Sequence, residues 1–278
     1  MTATAVYLHA AEPRPRFGDL IAAEWIKLRS LRSTWFGYGA TALAVVAFNV
    51  GTAYDTYRYW GQQNPDGPEG FVRAGMPLDE AFTTNSAIVM MLALGALGAM
   101  AIVGEYASGT IRTTFAAVPA RRSVMAAKAV VVAVVAAVFG AFVAGVSFAA
   151  TQAILDQRGA GVSLGDPGAL RVVVASALLA PLCALVGLAL GTVVRQTAGT
   201  MIASVLVLLV LPMVFTDGRH WSATASHDTL YQAWRRLVTT DYRPLHYPWT
   251  VGGAWTVYAV WAVAAAAIAV VGVHRRDQ

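Results

Sequence analysis

Few side chains in this sequence are equipped for chemistry, and their spacing narrows what they could do. Glu105 is followed by Ser108, Gly109, Thr110, Ile111 and Arg112, and the stretch GEYASGTIRTTFAAVPARRS lies between two long uncharged runs. A carboxylate and guanidinium groups placed there allow two readings. One is an interfacial turn with basic anchors; the other is a short helix that lies in a groove on a soluble partner. His220, His227 and His246 share one stretch, but their scatter suits solvation better than metal coordination. There is no Ser/His/Asp set, no H-E-x-x-H and no carboxylate pair within the uncharged runs. The only lysines, Lys27 and Lys128, do not follow a glycine, and G-x-x-x-x-G-K-[ST] is absent. The chain therefore has no P-loop for ATP. Cys183 is the sole cysteine, which excludes disulfides and cysteine metal sites.

The elements that must carry these groups follow from composition. Apolar residues make up 57% of the 278 and charged ones 13%, too few to solvate a globular surface of this size. The charges cluster, leaving uncharged windows at 33–54, 81–104, 129–155, 172–194, 196–216 and 244–274. Each can supply the roughly 20 residues with which a helix crosses a bilayer core. None has the short alternating pattern of a membrane strand. The expected architecture is an all-α integral membrane protein, one domain over 1–278 with six transmembrane helices. Its spans fall at about 35–54, 84–104, 126–155, 172–194, 198–216 and 249–273.

Six spans put both termini on one side. That side holds 12 of the 20 Lys and Arg residues and the other holds 8, so positive charge predicts cytoplasmic termini in a multi-pass cell-membrane protein. The first thirty residues carry Arg14, Arg16, Glu24, Lys27 and Arg29 without an uninterrupted apolar core, which does not read as a cleavable signal. The basic balance fits such a protein and gives no argument for nucleic acid.

Three stretches outside the spans read as helices. In 17–34, Phe17, Leu20, Ile21, Leu28 and Leu31, with Trp35 beyond, share one face, the pattern of a helix in the membrane interface. Its candidate residues are Glu24, Trp25, Lys27, Arg29 and Arg32; Glu24 falls inside the apolar face. It is expected either to pair with Lys27 or Arg32 at the headgroups or to bridge to a neighbouring cytoplasmic element. In 105–120, Ile111, Phe115 and Val118 share a face and Pro119 stops the helix. In the external segment 217–248, Leu230, Tyr231, Trp234, Leu237 and Val238 share a face of 228–238, which suits a helix on or in the outer leaflet. Pro212 and Pro248 flank it and are expected to bend the neighbouring spans. The external loop 54–83 is rich in Tyr, Gly, Pro and acid, without repeat or metal spacing, and the loop 156–171 is short and turn-like.

Polar groups within the spans, such as Asn49, Asn85, Ser147, Gln152, Ser176, Thr192 and Ser204, are not ionised, which argues against an ion-coupled carrier. Gly187 and Gly191 form a G-x-x-x-G step for close helix contact.

With these residues in view, GEYASGTIRTTFAAVPARRSVMAAKA resembles the signature between the second and third spans of the ABC-2 type permeases, the membrane subunits of ATP-binding-cassette exporters. AAEWIKLRSLRSTW resembles their N-terminal interfacial motif in its actinobacterial form. The resemblance implies that 105–120 is a coupling helix docking on an ATPase subunit through Glu105, Tyr106, Gly109, Thr110, Ile111, Arg112, Thr113 and Phe115. It implies that Glu24 braces the interfacial helix, and that Leu230, Tyr231, Trp234 and Leu237 form an external gate-like helix. ATP and Mg would bind the partner ATPase, not this chain, which is then no enzyme. The expected assembly is two permease chains, as a homodimer, with two ATPases and membrane lipids. The cargo would be a hydrophobic or amphipathic drug, antibiotic, lipid or peptide. On this reading Glu105→Arg abolishes transport and leaves the chain folded. A non-transporting membrane sensor or assembly protein, or a secondary carrier, is the alternative.

Overall fold

The computed structural model describes residues 15–64, 66–215, 220–240, 247 and 249–272. Its helices, in chain order, are α1 (Phe17–Ser30), α2 (Arg32–Arg58), α3 (Trp60–Gln63), α4 (Gly67–Arg73), α5 (Met76–Ala81), α6 (Thr84–Ser108) and α7 (Thr110–Ala117). They continue with α8 (Arg121–Asp156), α9 (Ala169–Val194), α10 (Thr197–Val205), α11 (Leu211–Val214), α12 (His220–His227), α13 (Leu230–Val238) and α14 (Val251–Val271). No strand occurs among the described residues. Six helical segments are long and apolar enough to cross a membrane, as the uncharged windows predict, so the chain is an all-α membrane protein.

The bundle is organised around α9, which packs against α6, α8, α10, α13 and α14. Close approach of α6 and α9 rests on glycine. A Cβ on Gly98 would lie 1.9 Å from the Ala184 carbonyl oxygen, and one on Gly187 would lie 1.8 Å from that of Gly95. Both contacts are impossible, so only hydrogen fits where the two backbones meet. The G-x-x-x-G step read in the sequence is thus used, with Gly95 and Gly98 as its counterparts.

Buried polar groups must be paired; some polar span residues find partners across helices, whereas Thr192 and Ser204 donate to carbonyls of their own helices. Asn49 Nδ2 donates to Ser147 Oγ at 3.1 Å, while its Oδ1 accepts from the Thr83 backbone N at 3.0 Å. Gln152 donates to the Pro77 carbonyl at 2.9 Å and accepts from the Val162 backbone N at 3.0 Å. The α10–α11 span contains a π-helical turn at Leu206–Val210 just before Pro212. A proline without an amide hydrogen and a widened turn are recognised causes of a helix bend. His246 and Pro248 lie outside the described residues, as do Arg14, Arg219, Arg243, Arg275 and Arg276.

Four features differ from the sequence reading. The interfacial helix ends at Ser30, not 34, because Leu31 takes an extended conformation (φ −86°, ψ 94°) that redirects the chain into α2. No glycine or proline marks this break; packing of α1 on α8 imposes it. The segment 54–83 is largely helical: α2 runs on to Arg58 and α3, α4 and α5 follow, with proline near the start of α4 and α5. Proline suits the first turn of a helix, where an amide would have no partner anyway. The third span begins at Arg121, because Arg121–Lys128 continue its helix below the apolar run. The apolar face of α13 turns into the bundle rather than the lipid, and Leu230, Trp234 and Leu237 are fully buried.

Candidate functional site

The corner between α6 and α8 is built by three local rules. Gly109 ends α6 in the left-handed region (φ 74°), where a side chain would have room but the backbone would be strained. Ser108 and Thr110 Oγ atoms lie 2.9 Å apart across that turn. Helix α7 then runs for two turns, Val118 extends and Pro119 prevents continuation. Ile111 is buried, and Phe115 and Val118 pack on the small cluster of Leu20, Val124 and Ala127. These three apolar residues therefore hold α7 to α1 and α8, while Thr110, Arg112, Thr113, Ala116 and Ala117 face outward.

Above α7 lies the most concentrated chemistry in the molecule. Glu24 of α1, Glu105 of α6 and Lys128 of α8 converge with Lys27 of α1. Lys27 Nζ donates to Glu24 Oε1 at 2.7 Å and to Glu105 Oε1 at 3.2 Å. Lys128 Nζ donates to Glu24 Oε2 and, at 2.8 Å, to Glu105 Oε1. The four groups close a ring of alternating charge with no net charge, and Lys27 also reaches Thr114 Oγ1 of α7 at 3.4 Å. Lys128 and Glu24 are each only 4% exposed. Burial lowers the affinity of the Lys27 ammonium for its proton. The hydrogen bond to Glu24 and the charges of Glu105 and Glu24 outweigh that, and its pKa lies above 10.5.

This geometry distributes the sequence candidates. Glu24 makes both expected contacts, to Lys27 on its own helix and to another element, but Arg32 is outside the ring and exposed. Of the predicted interfacial face, Leu20, Glu24 and Leu28 pack inward, whereas Phe17 and Leu31 are 46% and 51% exposed. Trp25 and Arg29 lie on the outward side of α1. Glu105 points into the ring, not away from the bundle. Tyr106 is half-buried, with the Arg195 guanidinium 5.2 Å from its ring centre. Lys128 was missed by sequence reasoning, which counted it only among the basic residues on the side of the termini. Its signal was rarity: a chain with 20 basic residues has only two lysines, and both are in the ring.

At the opposite end, α13 seats Trp234 against α9, its Nε1 donating to Ser176 Oγ at 3.2 Å. Beneath it is a small cavity of about 20 Å³, lined by residues including Phe82, Met90, Val143, Leu179 and Trp234. Tyr231 is only partly covered. His227 stacks on Trp249 at 4.5 Å and His220 meets Tyr247 edge-on. Among the described residues no group of three metal-ligating side chains is assembled.

Six helices long and apolar enough to span, a helical elbow beyond them and a buried ionic ring define a polytopic membrane protein. Residues 20–216 match the family model described as ABC-2 family transporter protein. The chain belongs to that family and is the membrane permease of an ATP-binding-cassette transporter. The match covers α1 through the fifth span and so includes the ring and α7. No curated protein matches the chain.

Proposed function

We propose that this permease exports a hydrophobic or amphipathic molecule, a drug, antibiotic, lipid or peptide, using ATP hydrolysed by a separate subunit that docks on α7. The end carrying α1 and α7 is then cytoplasmic, and two copies pair to form the pathway. The observation that carries the reading is the ionic ring. Because Glu24, Glu105 and Lys128 belong to three different helices, a displacement of α7 passes to α1, α6 and α8 together rather than bending one loop. ATP-driven closure of the partner subunits would tilt the second and third spans and alternate the access of a cavity between the permeases. At the far end α13 would close the outer exit, with Trp234 as its anchor.

The ring changes the choice of test. Glu105→Arg would add a third cation to a buried site, so its failure could be a folding failure. Thr113 faces outward and touches none of the ring. Thr113→Trp should leave the melting temperature unchanged, reduce co-purification of an ATP-binding-cassette ATPase and stop ATP-driven movement of a lipophilic fluorescent dye in inside-out vesicles. An ATPase that binds and supports dye transport equally in the variant would defeat the docking role. ATPase binding without dye movement in the unmodified protein would favour the sensor reading.

A further inference from the structure

The ring sequesters acid. Among the described residues at the α1–α7 end, Glu24 and Glu105 face inward, and Asp19 is the one exposed acid, its carboxylate bonded to the Arg16 backbone N at 2.9 Å. Arg16, Arg29, Arg32, Arg112 and Arg122 are exposed there. The outward surface of this end is therefore cationic, and its cations are arginines that make no ion pair with described residues.

Lipid headgroups explain Arg29 and Arg32 but not Arg112. The apolar run of the second span ends at Gly104, and Ser108 closes α6 about 6 Å further on at 1.5 Å per residue. Where the chain returns, residues 121–128 place the start of α8 about 12 Å from the apolar run of the third span. Helix α7 bridges these levels with Ile111 toward the bundle, so its outward face lies roughly 5 Å deeper still, half a helix diameter. The headgroup band is only about 5–8 Å thick on each side. Arg112 thus stands beyond the lipid, on a helix that carries no other charge.

We infer that α7 docks in an acidic groove of the ATP-hydrolysing subunit, with Arg112 as its central charge and Arg122 at the edge. This rests on the docking reading above and adds the chemistry of the partner surface. A guanidinium takes a carboxylate through two parallel hydrogen bonds, and the flanking Thr110 and Thr113 hydroxyls, which donate to the Glu105 and Thr110 carbonyls, leave oxygens that can accept from the same groove. The small Ala116 and Ala117 allow the groove wall to approach.

The test uses the full-length permease in phosphatidylcholine nanodiscs and the recombinant ATPase identified by its co-purification. Wild-type affinity should fall at least tenfold between 50 and 500 mM NaCl, since attraction between exposed charges is screened by salt. Arg112→Glu should weaken binding at low salt by at least tenfold, from like-charge repulsion across the interface, and lose most of the salt dependence. Arg112→Lys should restore binding in part, since it returns the charge without the fork. Cysteine placed at Thr113 adds a second readout, because Cys183 is buried. Its labelling by a charged maleimide should be blocked by the ATPase and unchanged by adding 30% phosphatidylglycerol. Salt-independent binding, or Arg112→Glu binding like wild type, overturns the acidic groove but leaves docking standing. Protection by phosphatidylglycerol alone assigns Arg112 to lipid and overturns it too. No binding by the ATPase at any salt overturns docking itself.

Discussion

Lys128→Met would remove one corner of the ionic ring while keeping the length of the side chain. Lys128 Nζ serves Glu24 Oε2 and Glu105 Oε1; without it, two carboxylates face each other with only Lys27 between them. The Lys27 side chain is 37% exposed and draws its partners toward the rim. Breaking a buried ion pair by removing one member costs about 3–5 kcal/mol, most of it from the charge left behind. For a chain of this size each kcal/mol moves the midpoint by about 2–4 °C, so a fall of roughly 6–20 °C is expected. Glu24→Gln together with Lys128→Met leaves a single Lys27–Glu105 pair with no excess charge, and should recover at least half of the loss through coupling of neighbouring sites. Cys183 supplies the assay. It is the only cysteine and fully buried, so a thiol-reactive fluorogenic dye reports unfolding with no engineered label. A single variant melting within about 2 °C of wild type would refute the energetic reading of the ring. A double variant less stable than the single would refute it as well.

The other predictions concern separate parts of the fold. Because the Lys27 pKa is higher in the folded chain than its ordinary 10.5, its contribution is complete below that pH and fades only as pH rises through the raised value. The melting temperature should therefore show no ring-dependent loss from pH 7 to about 10, and an earlier loss, absent in Lys27→Arg, would contradict this. Gly98→Ala should destabilise by more than the roughly 1–3 kcal/mol of ordinary overpacking, because the added Cβ meets backbone that cannot turn aside. Ala substituted at Gly104, where a Cβ meets nothing within 4 Å, should be silent in the same dye assay. Trp234→Phe removes the hydrogen bond to Ser176 at a cost of about 1 kcal/mol, whereas Trp234→Ala should cost about 3–5 kcal/mol through the cavity it leaves. Comparing the two melts separates the latch from the packing.

The parts legible in the sequence are those set by one-dimensional rules. Spans follow from the spacing of charges, and α7 follows from Gly109 and Pro119, which fix where helices end whatever surrounds them. What escaped depended on neighbours distant in the chain. Leu31 breaks a helix because α1 must lie on α8 while α2 runs along it, and nothing in the local sequence demands that. Lys128 borders an apolar run as any headgroup anchor would; Glu24, 104 residues away, and Glu105 make it internal. Trp234 has the periodicity of a membrane-lying helix, since periodicity shows which face is apolar and not whether lipid or protein covers it.

The placement of both lysines has a consequence for how this chain meets reagents. One amine is inaccessible and the other is held by two carboxylates, so the described surface offers amine chemistry almost nothing. Acylating reagents, lysine-directed cross-linkers and amine-attached tags will mark the partner and find little to react with among the described residues of the permease. A mass increment on Lys128 would then count the openings of the ring during turnover, a clock already present in the unmodified chain.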